Sequence, residues 1–263
     1  MRFYNAKVID FIEKKVIICD LDGTLTASKS KVTTEMLEVM RKLLKFYIIA
    51  IVSGGTFSQF EKQIINFIPH DRRYLSRFFM FPTNGSRLLR FVKDDWIEIY
   101  SIILSEDERK SIINAFEVAI KEFEFAKPSK IFGRQIEDRG SQVTYSAIGQ
   151  FAPLSLKKKW DPDTSKRKLM KTRMEELLPN FEIRIGGTTS LDVTKHGINK
   201  SYSVIKMKEL TGYDIGNMLF VGDSLFKGGN DYVVRSTRIE CVQVDDFKET
   251  ISLFNKVCEL NTS

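Results

Sequence analysis

Three observations predict an α/β protein with a doubly wound parallel-sheet core and a second, α+β domain inserted into it. A strand-length apolar run, Val16-Ile17-Ile18-Cys19, ends abruptly in Asp20-Leu21-Asp22-Gly23-Thr24. Strand and helix patterns then alternate to about residue 82, and the same alternation resumes after Gly186-Gly187. Between the two stretches, several strands follow in sequence with two helices among them. Continuous apolar runs suit strands buried on both faces of a parallel sheet, and β/α alternation supplies the crossovers that such a sheet requires.

Taken in order, the first stretch reads as a strand at 16–20, a helix over about 33–46, a strand at 47–52, a helix over 57–68 and a strand at 78–82. The middle stretch reads as strands from Arg87 and from Asp95 to Ile103, then a helix opened by Ser105-Glu106-Asp107-Glu108. Ser105 and Glu108 stand at capping-box spacing. Strands near 131–137 and 142–148, a basic helix near 163–178 and a strand near 181–185 complete the insert. A helix near 199–211, a strand at 218–222, a helix near 229–235, a strand at 239–244 and a helix at 246–259 return to the first pattern. The core is therefore placed at residues 1–86 and 187–263, and the insert at 87–186.

The chain has 263 residues, 43% hydrophobic and 29% charged, which is room for one large or two modest globular domains. Its longest apolar runs, such as Tyr47 to Val52, fall far short of the roughly 18 residues that a membrane span needs. The stretch Met1 to Lys7 lacks an apolar leader core, so a soluble, cytoplasmic protein is expected. Cys19, Cys241 and Cys258 are far apart and have no metal-ligand spacing, and two histidines, His70 and His196, leave little material for a zinc site or a serine–histidine system. The net charge of +7 is concentrated in Lys157-Lys158-Lys159 and Lys166-Arg167-Lys168. Asp163-Thr164 can cap a helix there, with Leu169, Met170, Met174, Leu177 and Leu178 as its apolar face. The cations then form its solvated side, and no nucleic-acid or membrane partner is expected.

The chemistry is concentrated at strand ends. Period-2 geometry points Asp20 and Asp22 the same way, although Gly23 lets the backbone turn. Carboxylates this close repel unless a cation lies between them, and Mg²⁺ suits an oxygen-only site. One carboxylate can attack phosphorus while its neighbour donates and accepts the proton, so Asp20 is assigned as nucleophile and Asp22 as acid/base. Ser53 and Gly54, followed by Gly55-Thr56, offer a hydroxyl and amides at a helix start, which is a phosphate cradle. Lys200 opens a helix, where a cation is unfavourable unless something anionic lies in front of it. Asp223 follows the strand 218–222, and Asp231 follows a glycine pair, as suits a metal ligand and its support.

In this order the motifs resemble the haloacid dehalogenase superfamily of phosphoryl-transfer enzymes. The resemblance implies that Asp20, the backbone carbonyl of Asp22 and Asp223 hold Mg²⁺, with Asp231 in support, and that Ser53 and Lys200 bind the transferring phosphoryl group. The insert is similar to the large α+β cap of the superfamily's second class. Phe81-Pro82-Thr83-Asn84-Gly85, Gly187-Thr188-Thr189-Ser190-Leu191-Asp192-Val193 and the segment from Gly222 to Asp231 are similar to the eukaryotic-type phosphomannomutases. By that resemblance Asn84, Ser190 and Asp192 contact substrate and Arg139 grips a distal phosphate. Gln150 stands where the mutases carry a second arginine.

An arginine fork holds phosphate through charge-assisted, often bidentate bonds that a glutamine amide cannot match. The expectation is therefore Mg²⁺-dependent hydrolysis of a sugar phosphate, with interconversion of mannose 1-phosphate and mannose 6-phosphate as the alternative. A non-enzymatic basic binding module is the remote third reading, disfavoured because both Asp20 and Asp22 are present. The expected partner is a small phosphorylated metabolite. Homodimerisation is compatible with the sequence but has no motif behind it.

Overall fold

A computed structural model describes residues 2–4 and 9–261; the rest of the N-terminal stretch read above for a leader lies outside them. In chain order the first elements are β1 (Arg2–Tyr4), β2 (Val16–Asp20), α1 (Thr34–Leu43), β3 (Ile48–Val52), α2 (Phe57–Gln63), α3 (Arg72–Leu75), β4 (Phe78–Phe81), β5 (Arg87–Val92) and β6 (Asp95–Ser101). Then come α4 (Glu106–Glu122), β7 (Ile136–Asp138), β8 (Val143–Ser146), α5 (Leu154–Trp160), α6 (Ser165–Leu177), β9 (Phe181–Gly186) and β10 (Ser190–Lys195). The chain closes with α7 (Lys200–Thr211), β11 (Met218–Gly222), β12 (Glu240–Gln243) and α8 (Phe247–Leu260). Among the described residues no helix is long and apolar enough to cross a membrane.

Two compact units result, one running through Ser101 and resuming at Lys200, the other Ile102–Asn199. The first holds an eight-stranded sheet in the order β1-β12-β11-β2-β3-β4-β5-β6. Strands β12, β11, β2, β3 and β4 pair in parallel, as expected, whereas β1, β5 and β6 add to the edges antiparallel. Strand alternation divides its core in two. Ile17, Cys19, Ile49 and Ile51 pack under α1 and α8 on one face; Val16, Ile18, Ala50 and Val52 pack against Val204 and Met207 of α7 on the other. The chain winds from β2 toward β4 on one side and adds β11 and β12 on the other. The switch point, where open α/β sheets bind ligands, therefore lies at the carboxyl ends of β2 and β11.

The second unit is a four-stranded antiparallel sheet, β7-β8-β10-β9, covered on one face by α4 and α6. Phe116 of α4 and Met170 and Met174 of α6 bury against Tyr145, Leu191 and Val193. Helix α4 opens as its sequence dictates: Ser105 Oγ accepts the Glu108 N–H and Glu108 Oε2 accepts the Ser105 N–H.

The unit boundaries differ from those expected. The hairpin β5–β6, assigned to the insert, turns at Lys93-Asp94 with both residues at positive φ and extends the first sheet. Strand β10, in the stretch assigned to the core, pairs between β8 and β9. Alternating polarity marks a strand but not the sheet it joins, which is why the hairpin assignment fails; β10 is a strand that the sequence pattern does not anticipate. The insert thus runs from 102 to 199 rather than 87 to 186. The helix start near 163 is corrected too. Asp163 Oδ1 accepts the N–H of Ser165, the first residue of α6, at 3.1 Å, but Thr164 is left-handed and makes no capping bond through its side chain, and the N–H groups of Lys166 and Arg167 are accepted by the carboxylate of Asp161. Arg167 and Lys157, read as solvated cations, are buried, and Leu169, read as part of the apolar face, is exposed.

Candidate active site

The apolar run of β2 delivers Asp20 to the sheet's carboxyl edge, where its side chain is buried. Strand β11 likewise ends at Gly222 and hands on to Asp223, while Asp231 follows the Gly228-Gly229 pair. Carboxylate oxygens of Asp20, Asp223 and Asp231 lie within 4.8 Å of one another. The loops that bring them together need glycine: Gly23 has φ +91°, and a Cβ there would lie 2.5 Å from Asp223 Oδ2.

Lys200, the first residue of α7, answers the question raised by a cation at a helix start. Its ammonium donates to Asp20 Oδ1 and to Asp231 Oδ1, each at 2.5 Å, from a side chain 1% exposed. Asp231 Oδ2 accepts the Ser224 N–H at 3.0 Å, so both of its oxygens are held. Two buried carboxylates and the half-buried Asp223 against one ammonium leave an excess of negative charge. Burial pushes the Asp20 carboxyl well above its ordinary range, with Lys200 opposing and Asp231 and Asp223 adding to the rise. Asp223 is pushed up to about 6, by burial first and by Asp231 second. Burial alone would lower Lys200, but the carboxylates of Asp20 and Asp231 hold it above its ordinary value. An oxygen-lined, electron-rich cluster of this kind fits a hard divalent cation such as Mg²⁺.

Asp22 is arranged differently. Its Oδ1 accepts the Lys29 N–H at 2.5 Å and the Gln63 side-chain amide at 3.1 Å, and its carboxylate is not part of the three-acid cluster. Beside it, β3 ends at Val52 and hands on to Ser53, whose Oγ accepts the Gly55 N–H at 3.1 Å. The carbonyl of Ser53 accepts the Asn84 N–H, and that of Gly55 accepts the Thr83 N–H, so Ser53, Gly54 and Asn84 share one edge of the sheet. Thr83 and Asn84 are both left-handed there.

The remaining candidates belong to the insert. Ser190 and Asp192 lie on one face of β10, and Asp192 Oδ1 accepts the Thr144 hydroxyl at 2.8 Å. Arg139 is nearly buried and donates through Nε and Nη2 to Glu137 Oε2, at 3.0 and 2.6 Å. Gln150 offers its backbone carbonyl to the Lys157 ammonium at 2.8 Å, while its buried Nε2 has no hydrogen-bond partner. The structure thus groups Asp20, Lys200, Asp223 and Asp231, places Asp22, Ser53, Gly54 and Asn84 in the same unit, and holds Arg139, Gln150, Ser190 and Asp192 in the other. Gln63 and Lys157, which bond to these residues, carry no sequence signal that singles them out.

Residues 36–260 match the family model described as eukaryotic phosphomannomutase. A phosphomannomutase of Spinacia oleracea is 30% identical over 226 residues, which cover 83% of this chain and 85% of the spinach protein. One from Schizosaccharomyces pombe is 27% identical, covering 84% and 85%. Among solved structures, a C-terminally truncated Plasmodium falciparum IMP-nucleotidase superposes with a TM-score of 0.71 at 17% identity, over 95% of this chain and 74% of that one. A trehalose-6-phosphate phosphatase related protein superposes with a TM-score of 0.55 at 16% identity, over 94% and 99%. These two likenesses concern the fold.

Proposed function

The chain belongs to the eukaryotic phosphomannomutase family, within the haloacid dehalogenase superfamily of phosphoryl-transfer enzymes, and from that premise we propose that it interconverts mannose 1-phosphate and mannose 6-phosphate through an aspartyl-phosphate on Asp20. The observation that carries the chemistry is the Lys200 ammonium held between Asp20 and Asp231, beside Asp223, at the sheet's switch point. In the first step an Asp20 oxygen bonds to phosphorus as the bond from phosphorus to the sugar oxygen breaks, and Asp22 gives that oxygen a proton. In the second, a sugar hydroxyl gives its proton to Asp22 and takes the phosphoryl group from Asp20. Lys200 opposes the rise that burial imposes on Asp20 and orients its carboxylate. Ser53 and the amides after it bind phosphoryl oxygens. Mg²⁺, held by Asp20, Asp223 and the Asp22 carbonyl with Asp231 in support, would offset the charge that the carboxylates and the phosphate bring together.

Gln150 favours a second reading, hydrolysis of a sugar phosphate. A mutase must hold a second phosphate, and the amide here replaces a guanidinium. One experiment separates the two. Purified protein, Mg²⁺ and mannose 1-phosphate are incubated with a catalytic amount of hexose bisphosphate, and mannose 6-phosphate and free phosphate are followed together. Mannose 6-phosphate without matching phosphate release supports the mutase; phosphate release alone supports the hydrolase; neither product sinks both.

A further inference from the structure

Gln63 ends α2 and is 3% exposed, yet its side chain is committed to a loop rather than to the packed interior. Its Nε2 lies 3.1 Å from Asp22 Oδ1, 3.1 Å from Thr26 Oγ1 and 3.3 Å from the Ser30 carbonyl. Its backbone carbonyl accepts the Val32 N–H at 2.7 Å. The loop from Asp22 to Val32 is thus fastened to one residue of a neighbouring helix, by side chain and main chain alike.

The loop also closes on the same carboxylate oxygen. Lys29, left-handed at φ +56°, donates its N–H to Asp22 Oδ1, and the Gly23 N–H donates to the Thr26 carbonyl. Gln63 Oε1 is buried without a hydrogen-bond partner among the described residues, which is costly for an amide oxygen. Turning the amide over would let Oε1 accept from the Thr26 hydroxyl, but would set it against the Asp22 carboxylate and the Ser30 carbonyl, acceptors both. The orientation of the amide is therefore dictated by what the loop presents. Asp22 Oδ1 receives both of these bonds, and among the described residues no hydrogen bond is given to Oδ2.

We propose that Gln63 is the positioning residue of Asp22: it anchors Oδ1, together with the Lys29 amide, so that Oδ2 is the oxygen that carries the proton to and from the sugar. The inference rests on the reading of Asp22 as acid/base. Gln63 itself gains and loses nothing in the reaction; the proton passes from Asp22 Oδ2 to the sugar oxygen as its bond to phosphorus breaks, and back when a sugar hydroxyl attacks.

The test compares leaving groups in the first phosphoryl transfer, under single-turnover conditions with Mg²⁺. Mannose 1-phosphate needs a proton on its departing oxygen, whereas 2,4-dinitrophenyl phosphate releases a stable phenolate unaided. Gln63→Met, which keeps the volume and removes the donor, should slow transfer from mannose 1-phosphate by about 10- to 100-fold at saturation, with little change in the half-saturating concentration. The dinitrophenolate burst should stay within about two-fold of the native rate, since that step does not draw on the acid. Gln63→Glu serves the same comparison if Gln63→Met does not fold, because it keeps the shape while the ionised carboxylate offers no donor. Equal slowing on both substrates, or none on either, would overturn the proposal. Asp22→Asn, run in parallel, should show the same selectivity in stronger form. If Asp22→Asn slows both substrates alike, the acid/base reading beneath the proposal fails, and that failure is distinct from one confined to Gln63.

Discussion

The Lys200 ammonium lies 2.5 Å from Asp20 Oδ1, although 180 residues separate the two in sequence. Because Asp231 Oδ1 is equally close, one side chain neutralises part of a strand end and part of a loop that the chain brings together only in the folded state. Lys200→Met should therefore leave two buried carboxylates, Asp20 and Asp231, without their cation. Removing one partner of such a buried pair costs about 3–5 kcal/mol. The expected result is a lowered thermal midpoint, partly recovered by added Mg²⁺, and loss of phosphoryl transfer that Mg²⁺ does not recover. Activity near the native level would remove Lys200 from the proposed machinery.

The same cluster predicts a stability response to metal. Binding that occurs only in the folded state raises stability by about 2.7 kcal/mol at 100 times the dissociation constant. Mg²⁺ should accordingly raise the thermal midpoint of the native protein, and chelator should abolish turnover. Asp223→Ala should lose most of the midpoint rise. Asp20→Asn should abolish transfer while the protein stays folded, since the volume is kept and one charge of a crowded set is removed. Turnover of Asp20→Asn at the native rate would end the covalent mechanism.

Most of the site was legible because parallel strands advertise their ends. The apolar runs before Asp20, Ser53 and Asp223 stop at a polar residue, and an unfavourable cation at a helix start drew attention to Lys200. The edges were not legible. Residues 87–101 read as strands, but polarity says nothing about which sheet receives them, and the strand at 190–195 is not anticipated by the alternation at all. Gln63 and Asp161 were missed for a related reason: their importance lies in hydrogen bonds to residues brought near by a turn or a neighbouring element, and no periodicity records those.

Arg167 shows how much a basic stretch can conceal. Read as part of a solvated face, it is 4% exposed, and it donates to the Asp161 carboxylate and to the carbonyls of Gly186 and Gly187. It thereby ties the start of α6 to the turn that precedes Ser190. Arg167→Met should cost about 3–5 kcal/mol, because Asp161 is left buried and unpaired. Arg167→Met combined with Asp161→Asn should recover part of that loss, since the stranded charge is gone. Unfolding midpoints of the two variants check the order; equal losses would mean that the charge is not what is being removed.

The capping box of α4 gives a pH dependence of known sign. The Ser105 N–H donated to Glu108 holds that carboxyl below its ordinary value. A carboxyl whose folded value is lowered contributes stability above its unfolded value, and loses it as the pH falls through the folded one. Glu108→Gln, whose amide stays uncharged throughout, should be less stable than the native protein at neutral pH, with the gap closing below the ordinary carboxylate range. Thermal midpoints measured from neutral to acid pH test this. A gap that is constant with pH would point to lost packing instead.

Gln150 is where the two readings of function part. If the amide leaves the second anion site weak, Gln150→Arg should tighten a hexose bisphosphate more than a monophosphate, by a charge-assisted bond of about 1.5–3 kcal/mol. Lys157 sets the expectation toward the lower end, because its buried ammonium already lies 2.8 Å from the Gln150 carbonyl and would repel an incoming guanidinium. Competition by bisphosphate and by monophosphate against turnover measures the difference. Adding Lys157→Met to Gln150→Arg should then raise the bisphosphate preference further, provided the variant folds. An unchanged preference in Gln150→Arg, or efficient mutase turnover by the native chain, would show that an arginine at this position is not what the second phosphate requires.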